Sequence, residues 1–187
     1  LHERFRRQRQ MCIRDRVEVA GVNFPDALLV QGKYQIVIDP PFIPGNEVCG
    51  IIEEKGENVN IPLGTKVIGI PPIGGFAEFV TINKNLVIPV SMNFDSLAGA
   101  SLPINYGTSY YALKRRANAQ SGESLLVLGA SGGIGTATIQ LAKVMGLKTI
   151  CAVGSDDKAE YVKSLGGDEI VRYDQVDLKE TLSLIHI

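Results

Sequence analysis

Seven residues carry the clearest chemistry: Gly129–Gly135 reads GASGGIG. Ala130, Gly132 and Gly135 occupy the three small positions of a G-x-G-x-x-G loop, with alanine in the first. Small residues there permit a tight turn, let the backbone approach a pyrophosphate and let a following helix pack closely. The motif is informative only in context. Here it follows the apolar run Ser124–Leu128 (SLLVL) and precedes Ile134–Met145, whose Ile134, Ala137, Ile139, Leu141, Ala142 and Met145 recur at helical spacing. A helix starting there presents unpaired N–H groups and a positive dipole end to phosphates.

The second signal lies about 20 residues further on, where an acidic residue would hold an adenosine ribose. Asp156 and Asp157 stand near that distance, but Gly154 and Ser155 follow the strand-like Lys148–Val153 (KTICAV), so both aspartates fall at a helix start. A carboxylate there caps free N–H groups and favours the dipole. Lys158, within the same turn, is placed to reach a 2′-phosphate, which turns the expectation from NAD to NADP.

A metal centre is not expected. Zinc needs three or four Cys, His or carboxylate ligands. Both histidines, His2 and His186, lie near the termini, and Cys49 and Cys151 stand far apart in apolar runs. They read as core residues of a protein from a reducing cytoplasm.

The two ends are set aside as foreign. Leu182–Ile187 (LSLIHI) is the translation of CTG TCT CTT ATA CAC ATC, a transposon-type sequencing adapter, and Met11–Arg16 (MCIRDR) matches its complementary strand. Arg6–Gln10 continues into the primer, so residues 1–16 and 182–187 are expected to be adapter-derived rather than a targeting arm and an apolar tail. Removing the six arginines and two acids of Leu1–Arg16 from 19 basic and 20 acidic residues leaves 13 against 18, a net charge of −5. Such a balance gives no electrostatic case for nucleic acid or an anionic membrane. No apolar run approaches bilayer length.

Two textures divide the remainder. From Val17 to about Val90, short β-branched runs (Glu47–Glu54, Lys66–Ile70, Phe76–Ile82, Asn85–Pro89) alternate with Pro/Gly turns, as in a barrel-like β domain. Asp95–Leu102, with Asp95 as N-cap, and Thr108–Ala117 are expected helices. Strand Ser124–Leu128, helix Ile134–Met145, strand Lys148–Val153, helix Asp157–Leu165 and strand Glu169–Arg172 then form one half of a doubly wound parallel sheet.

In order along the chain, Val22–Tyr34 (VNFPDALLVQGKY), Pro44–Gly50 (PGNEVCG), Gly64–Gly69, Gly75–Val80, Tyr106–Tyr110 (YGTSY), the GASGGIG loop and Gly154–Lys158 resemble the medium-chain dehydrogenase/reductase superfamily, in its zinc-free NADPH:quinone oxidoreductase (zeta-crystallin-like) branch. The resemblance implies an α/β fold: a GroES-like β-barrel domain, 17–94 with its N-terminal strand missing, beside a truncated Rossmann sheet, 95–181, with nicotinamide in the cleft between. Zinc-dependent relatives carry Gly-His-Glu where this chain reads Gly45-Asn46-Glu47. By the same resemblance Asn23 and Thr108 lie near the nicotinamide. Gly132, Gly133 and Ile134 hold the pyrophosphate, with Ala130 and Gly135 shaping the loop. Gly154, Ser155, Lys158 and Tyr173 surround the adenosine 2′-phosphate; Tyr173 alternatively serves as a strand-edge aromatic. Tyr34 either donates to a forming oxyanion, since a phenol stays protonated at pH 7, or only packs at the rim.

The implied activity is NADPH-dependent hydride transfer to a quinone or conjugated enone. A 2-enoyl-thioester reductase, or an NADPH-binding crystallin-like protein with little turnover, are the alternatives. Expected partners are a small-molecule quinone or enone, no nucleic acid and no membrane, with a homodimeric, cytoplasmic full-length protein. Lacking later strands, the chain as given is expected to be inactive and poorly soluble.

Overall fold

A computed structural model describes residues 11–184. Residues 1–10 and 185–187, the outer parts of the two ends set aside above, lie outside the described residues, as do His2 and His186.

The first unit is built on a five-stranded antiparallel sheet, ordered β4-β1-β2-β3-β5. Its strands are β1 (Cys12–Ala20), β2 (Val48–Lys55), β3 (Lys66–Gly69), β4 (Phe79–Asn83) and β5 (Val87–Pro89). Alternation makes one face apolar: Ile13, Val48, Ile52, Val67, Val80, Ile82 and Val87 form a core with Val59 from a loop. The four expected strand runs are all present with shifted ends: β2 begins and ends one residue later, β3 stops at Gly69, β4 begins at Phe79 rather than Phe76, and a 3-10 turn over Lys84–Leu86 takes the start of the last run.

One expectation is corrected here. Cys12–Arg16, set aside as foreign, are not outside the fold: they supply half of β1. It pairs with β2 and with β4 on its two sides. Whatever the origin of its codons, the segment fits a strand by its period of two. Ile13 turns inward, while Arg14 and Arg16 turn outward to Glu54 and Glu53. Asp15 breaks the pattern. It takes an inward position, is 0% exposed, and neither carboxylate oxygen has a hydrogen-bond partner.

A helix that apolar periodicity does not reveal, α1 (Phe24–Val30), follows β1. Its signal is local: Asn23 at the N-cap, Pro25 in the first turn, and Asp26, whose Oδ2 accepts from the Asn23 N–H at 2.8 Å. Helix α2 (Ser96–Gly99) is shorter than expected, but Asp95 caps it as anticipated, accepting from Leu97 and Ala98 N–H groups. This helix packs on the sheet, with Ala100 beside Cys49 and Ile68. The boundary between units therefore falls at Ile104/Asn105 and not at 94/95.

The second unit contains α3 (Gly107–Tyr110) running into a π-helical stretch (Tyr111–Arg116), then β6 (Ser124–Leu128), α4 (Gly133–Met145), β7 (Lys148–Val153), α5 (Asp156–Ser164), β8 (Glu169–Arg172) and α6 (Leu178–Leu184). The three strands form a parallel sheet, β6-β7-β8, in the expected order and with the expected bounds. Val127, Ala130, Ile139, Cys151, Val153 and Val162 are its core, which places both expected core cysteines, Cys49 and Cys151, among buried residues. Gly146 ends α4 in the left-handed conformation at φ 72°. No described helix is long and apolar enough to cross a membrane.

Candidate functional site

In the second unit the glycine loop joins β6 to α4. The turn itself is made by Gly129, at φ 62°, a conformation L side chains rarely adopt. Ala130 is fully buried and its N–H is given to Ala152 at 3.2 Å, so it packs the turn from inside and does not face a ligand. Gly135 keeps the helix close, since a Cβ there would meet the Ala130 carbonyl oxygen at 2.6 Å. Gly132 stands as N-cap without a side chain to satisfy the first turn. The first intrahelical bond runs from Thr136 N–H to Gly132 O at 2.8 Å, leaving the N–H groups of Gly133, Ile134 and Gly135 ahead of the helical ladder.

Ser109, 2% exposed, pins α3 against this helix: its hydroxyl bonds the carbonyls of Asn105 and Ile134 and accepts from Thr138. Thr108, next to it on α3, is left exposed.

At the ends of β7 and β8, Gly154 lies against Tyr173, and Ser155 and Lys158 follow at the start of α5. Ser155 caps α5 by accepting the Lys158 N–H at 3.4 Å. Tyr173 bonds Val153 through its backbone N–H, and its hydroxyl lies 2.8 Å from where a Cβ on Gly154 would stand. The Lys158 side chain is exposed. Capping by aspartate is corrected: Ser155 is the cap, while the Asp156 carboxylate pairs with Arg172, which also binds Asp174 at 2.7 Å. The hydrogen bond donated by Arg172 lowers the Asp174 pKa. Arg172 was not legible as part of this group, because its partner is 16 residues away.

The first unit holds the remaining residues. Asn23, 9% exposed, donates its amide to Glu47 Oε1 at 2.7 Å. Glu47, 1% exposed, accepts also from the Ile104 N–H at 2.9 Å. Burial raises the Glu47 pKa, opposed by those two donors and assisted by nearby Asp26. Asp26 accepts from the N–H groups of Asn23 and Gly45, tying the start of α1 to the Pro44–Glu47 stretch. Glu47 and Asp26 were missed as organising residues; buried carboxylates in a sequence resemble surface ones, although Asn23 and Asp26 show capping-box spacing. Beside Asp26, a cavity of about 190 Å³ is lined by Tyr34, Asn46, Leu29, Ile36, Ile38 and Ile73. Tyr34 is half-buried there. Thus Asn23 and Tyr34 belong to the first unit and Thr108 to the second.

The sequence model of the alcohol dehydrogenase GroES-like domain matches residues 10–92, and that of the zinc-binding dehydrogenase family matches 133–185. The latter stretch contains one cysteine, Cys151, and no histidine. Quinone oxidoreductase-like protein 2 of Bos taurus is 39% identical over 174 residues, 91% of this chain and 49% of that protein. Among solved structures, a probable oxidoreductase from Mycobacterium abscessus superposes with a TM-score of 0.87 at 38% identity, covering 94% of this chain and 57% of that one. Quinone oxidoreductase from Thermus thermophilus, solved also with NADPH, gives 0.80 at 35% identity, covering 92% and 55%. The chain spans about half the length of the relatives it matches. Its two units, their order and these similarities place it in one family: the chain belongs to the medium-chain dehydrogenase/reductase superfamily, in the quinone oxidoreductase branch.

Proposed function

We propose that the full-length protein binds NADPH and reduces a quinone or conjugated enone without zinc. The observation that carries the reading is the pairing, within one unit, of a helix opening without a side-chain cap with the Ser155–Lys158–Tyr173 group at the next strand ends. The glycine turn leaves three N–H groups for a pyrophosphate, and Lys158 with Ser155 supplies charge and a donor for a 2′-phosphate. NADPH supplies the hydride; a quinone takes it together with one proton to become the hydroquinone. This chain's residues bind and orient. Asn23, held by Glu47, offers an amide of fixed direction, and Tyr34 offers a phenolic donor to an oxygen gaining charge. Zinc independence rests on donor chemistry: an asparagine, Asn46, stands where zinc-dependent relatives have histidine.

The test follows NADPH oxidation by the full-length protein with a benzoquinone and with a crotonyl thioester, beside a fluorescence titration of cofactor binding. Turnover with quinone and a preference for NADPH over NADH are expected. Turnover of the thioester alone would make the protein an enoyl-thioester reductase, and binding without turnover a crystallin-like binder; neither binding nor turnover would overturn the reading.

A further inference from the structure

Two strand ends meet at the adenosine end of the proposed cofactor site, and a network of ion pairs ties them. Tyr173, just after β8, donates its backbone N–H to the Val153 carbonyl at the end of β7, and its phenol lies over Gly154. One residue earlier, Arg172 reaches across to the start of α5. Asp174 holds its guanidinium in a two-point fork, Nε to Oδ1 at 2.8 Å and Nη2 to Oδ2 at 2.7 Å. The remaining nitrogen, Nη1, pairs with the Asp156 carboxylate. The Arg172 side chain is 15% exposed and that of Asp156 83%. The arginine is thus fixed in place, while the aspartate lies open to whatever approaches Ser155 and Lys158 in the same turn.

Ion pairs with so open a partner add little to folding. Their larger consequence is for the local field. A phosphate monoester brings about 1.5–2 negative charges at pH 7. The charged side chains of Gly154–Lys158 and Arg172–Asp174 are Asp156, Asp157, Lys158, Arg172 and Asp174. Without Arg172, Lys158 stands alone against three carboxylates, the wrong balance for attracting a phosphate.

We infer that Arg172 is a specificity-determining residue for NADPH that acts through Asp156: held by Asp174, it neutralises the Asp156 carboxylate and so lets Ser155 and Lys158 take a 2′-phosphate. The inference rests on the NADPH reading and adds a positioning residue to it. Asp156, which stands near the distance where an acid would hold a ribose hydroxyl, is thereby engaged by a guanidinium instead.

The full-length protein and its variants are titrated with NADPH and with NADH by cofactor fluorescence, and Tm is read on each. In Arg172→Gln, NADPH affinity is expected to fall about fivefold or more, the effect of one unit charge at contact distance through water. NADH affinity is expected to stay within about twofold. The double variant Arg172→Gln/Asp156→Asn has the wild-type net charge and is expected to recover NADPH affinity to within about twofold. Asp156→Asn alone keeps the Asp174 fork and is expected to bind NADPH at least as tightly as wild type, a comparison that stands even if Arg172→Gln does not fold. Equal losses for NADPH and NADH, no loss in folded Arg172→Gln, or weaker NADPH binding by Asp156→Asn overturns the inference. A double variant as weak as Arg172→Gln also overturns it, by making Arg172 itself a phosphate ligand. A wild-type protein without preference for NADPH over NADH refutes the cofactor reading and this inference together, whereas that preference combined with any of the preceding failures refutes the inference alone.

Discussion

Replacing Asp15 by valine should stabilise the first unit, and the gain should depend on pH in a defined direction. Asp15 sits in β1 opposite Ile52 of β2 and Val80 of β4, fully shielded and without a hydrogen bond to either oxygen. Burial raises its pKa from 3.8 to about 6. A raised carboxylate pKa means that the folded state binds the proton more tightly than the unfolded one. The Asp15 contribution to stability is therefore most favourable below pH 3.8 and is lost as pH rises through about 6. At about 1.4 kcal/mol per pKa unit, the ionised residue costs about 3 kcal/mol above pH 7. Valine removes the charge while keeping the branched shape that Val80 and Ile52 pack against. Urea unfolding of both proteins, followed by circular dichroism at pH 4.5, 6.0 and 7.5, reads the difference and cancels titrations they share, including that of Glu47. The valine protein should lead by about 3 kcal/mol at pH 7.5 and by progressively less towards pH 4.5. A difference that stays constant with pH, or a valine protein less stable at pH 7.5, would refute the reasoning.

Other outcomes follow from the same geometry. Gly135→Ala drives a methyl towards the Ala130 carbonyl, 2.6 Å away, and should lower the stability of the second unit by about 1–3 kcal/mol, visible as a lower Tm. Glu47→Ala strands the Asn23 amide and the Ile104 N–H and should cost about 2–5 kcal/mol in urea unfolding, since each unmet buried group costs about 1–3. Lys158→Ala should weaken NADPH binding by about tenfold in fluorescence titration, one charge-assisted bond being worth about 1.5–3 kcal/mol, while NADH binding stays nearly constant. Asp95→Ala removes the acceptor for two N–H groups and should cost about 1 kcal/mol of stability.

The parallel-sheet unit was the more legible half because its cues are long and periodic. Strands Ser124–Leu128, Lys148–Val153 and Glu169–Arg172 are centred on apolar or β-branched residues and flanked by turns, and their bounds follow from that. Helix α1 escaped because seven residues give too short a period, and its evidence is a cap rather than a stripe. Cys12–Arg16 escaped for a different reason. Its codons argued for dismissal, yet Ile13 alternating with outward arginines satisfies a strand regardless. At the site, the loop and the Gly154–Lys158 turn were readable because each is local in sequence. The contacts that organise the first unit were not: Glu47 reaches Asn23 across 24 residues and Ile104 across 57, and only the fold supplies those distances.

Tyr173 lying over Gly154 makes a co-variation rule. A methyl at position 154 would occupy space within 2.8–3.0 Å of the phenol, so the two positions cannot drift independently. Relatives that carry a larger residue at the end of β7 should have surrendered the aromatic after β8, and those that keep the aromatic should keep glycine. Attempts to redirect cofactor preference by placing an acidic residue at 154 alone would evict the tyrosine and reshape the adenosine end of the site, so such redesign has to begin with the pair.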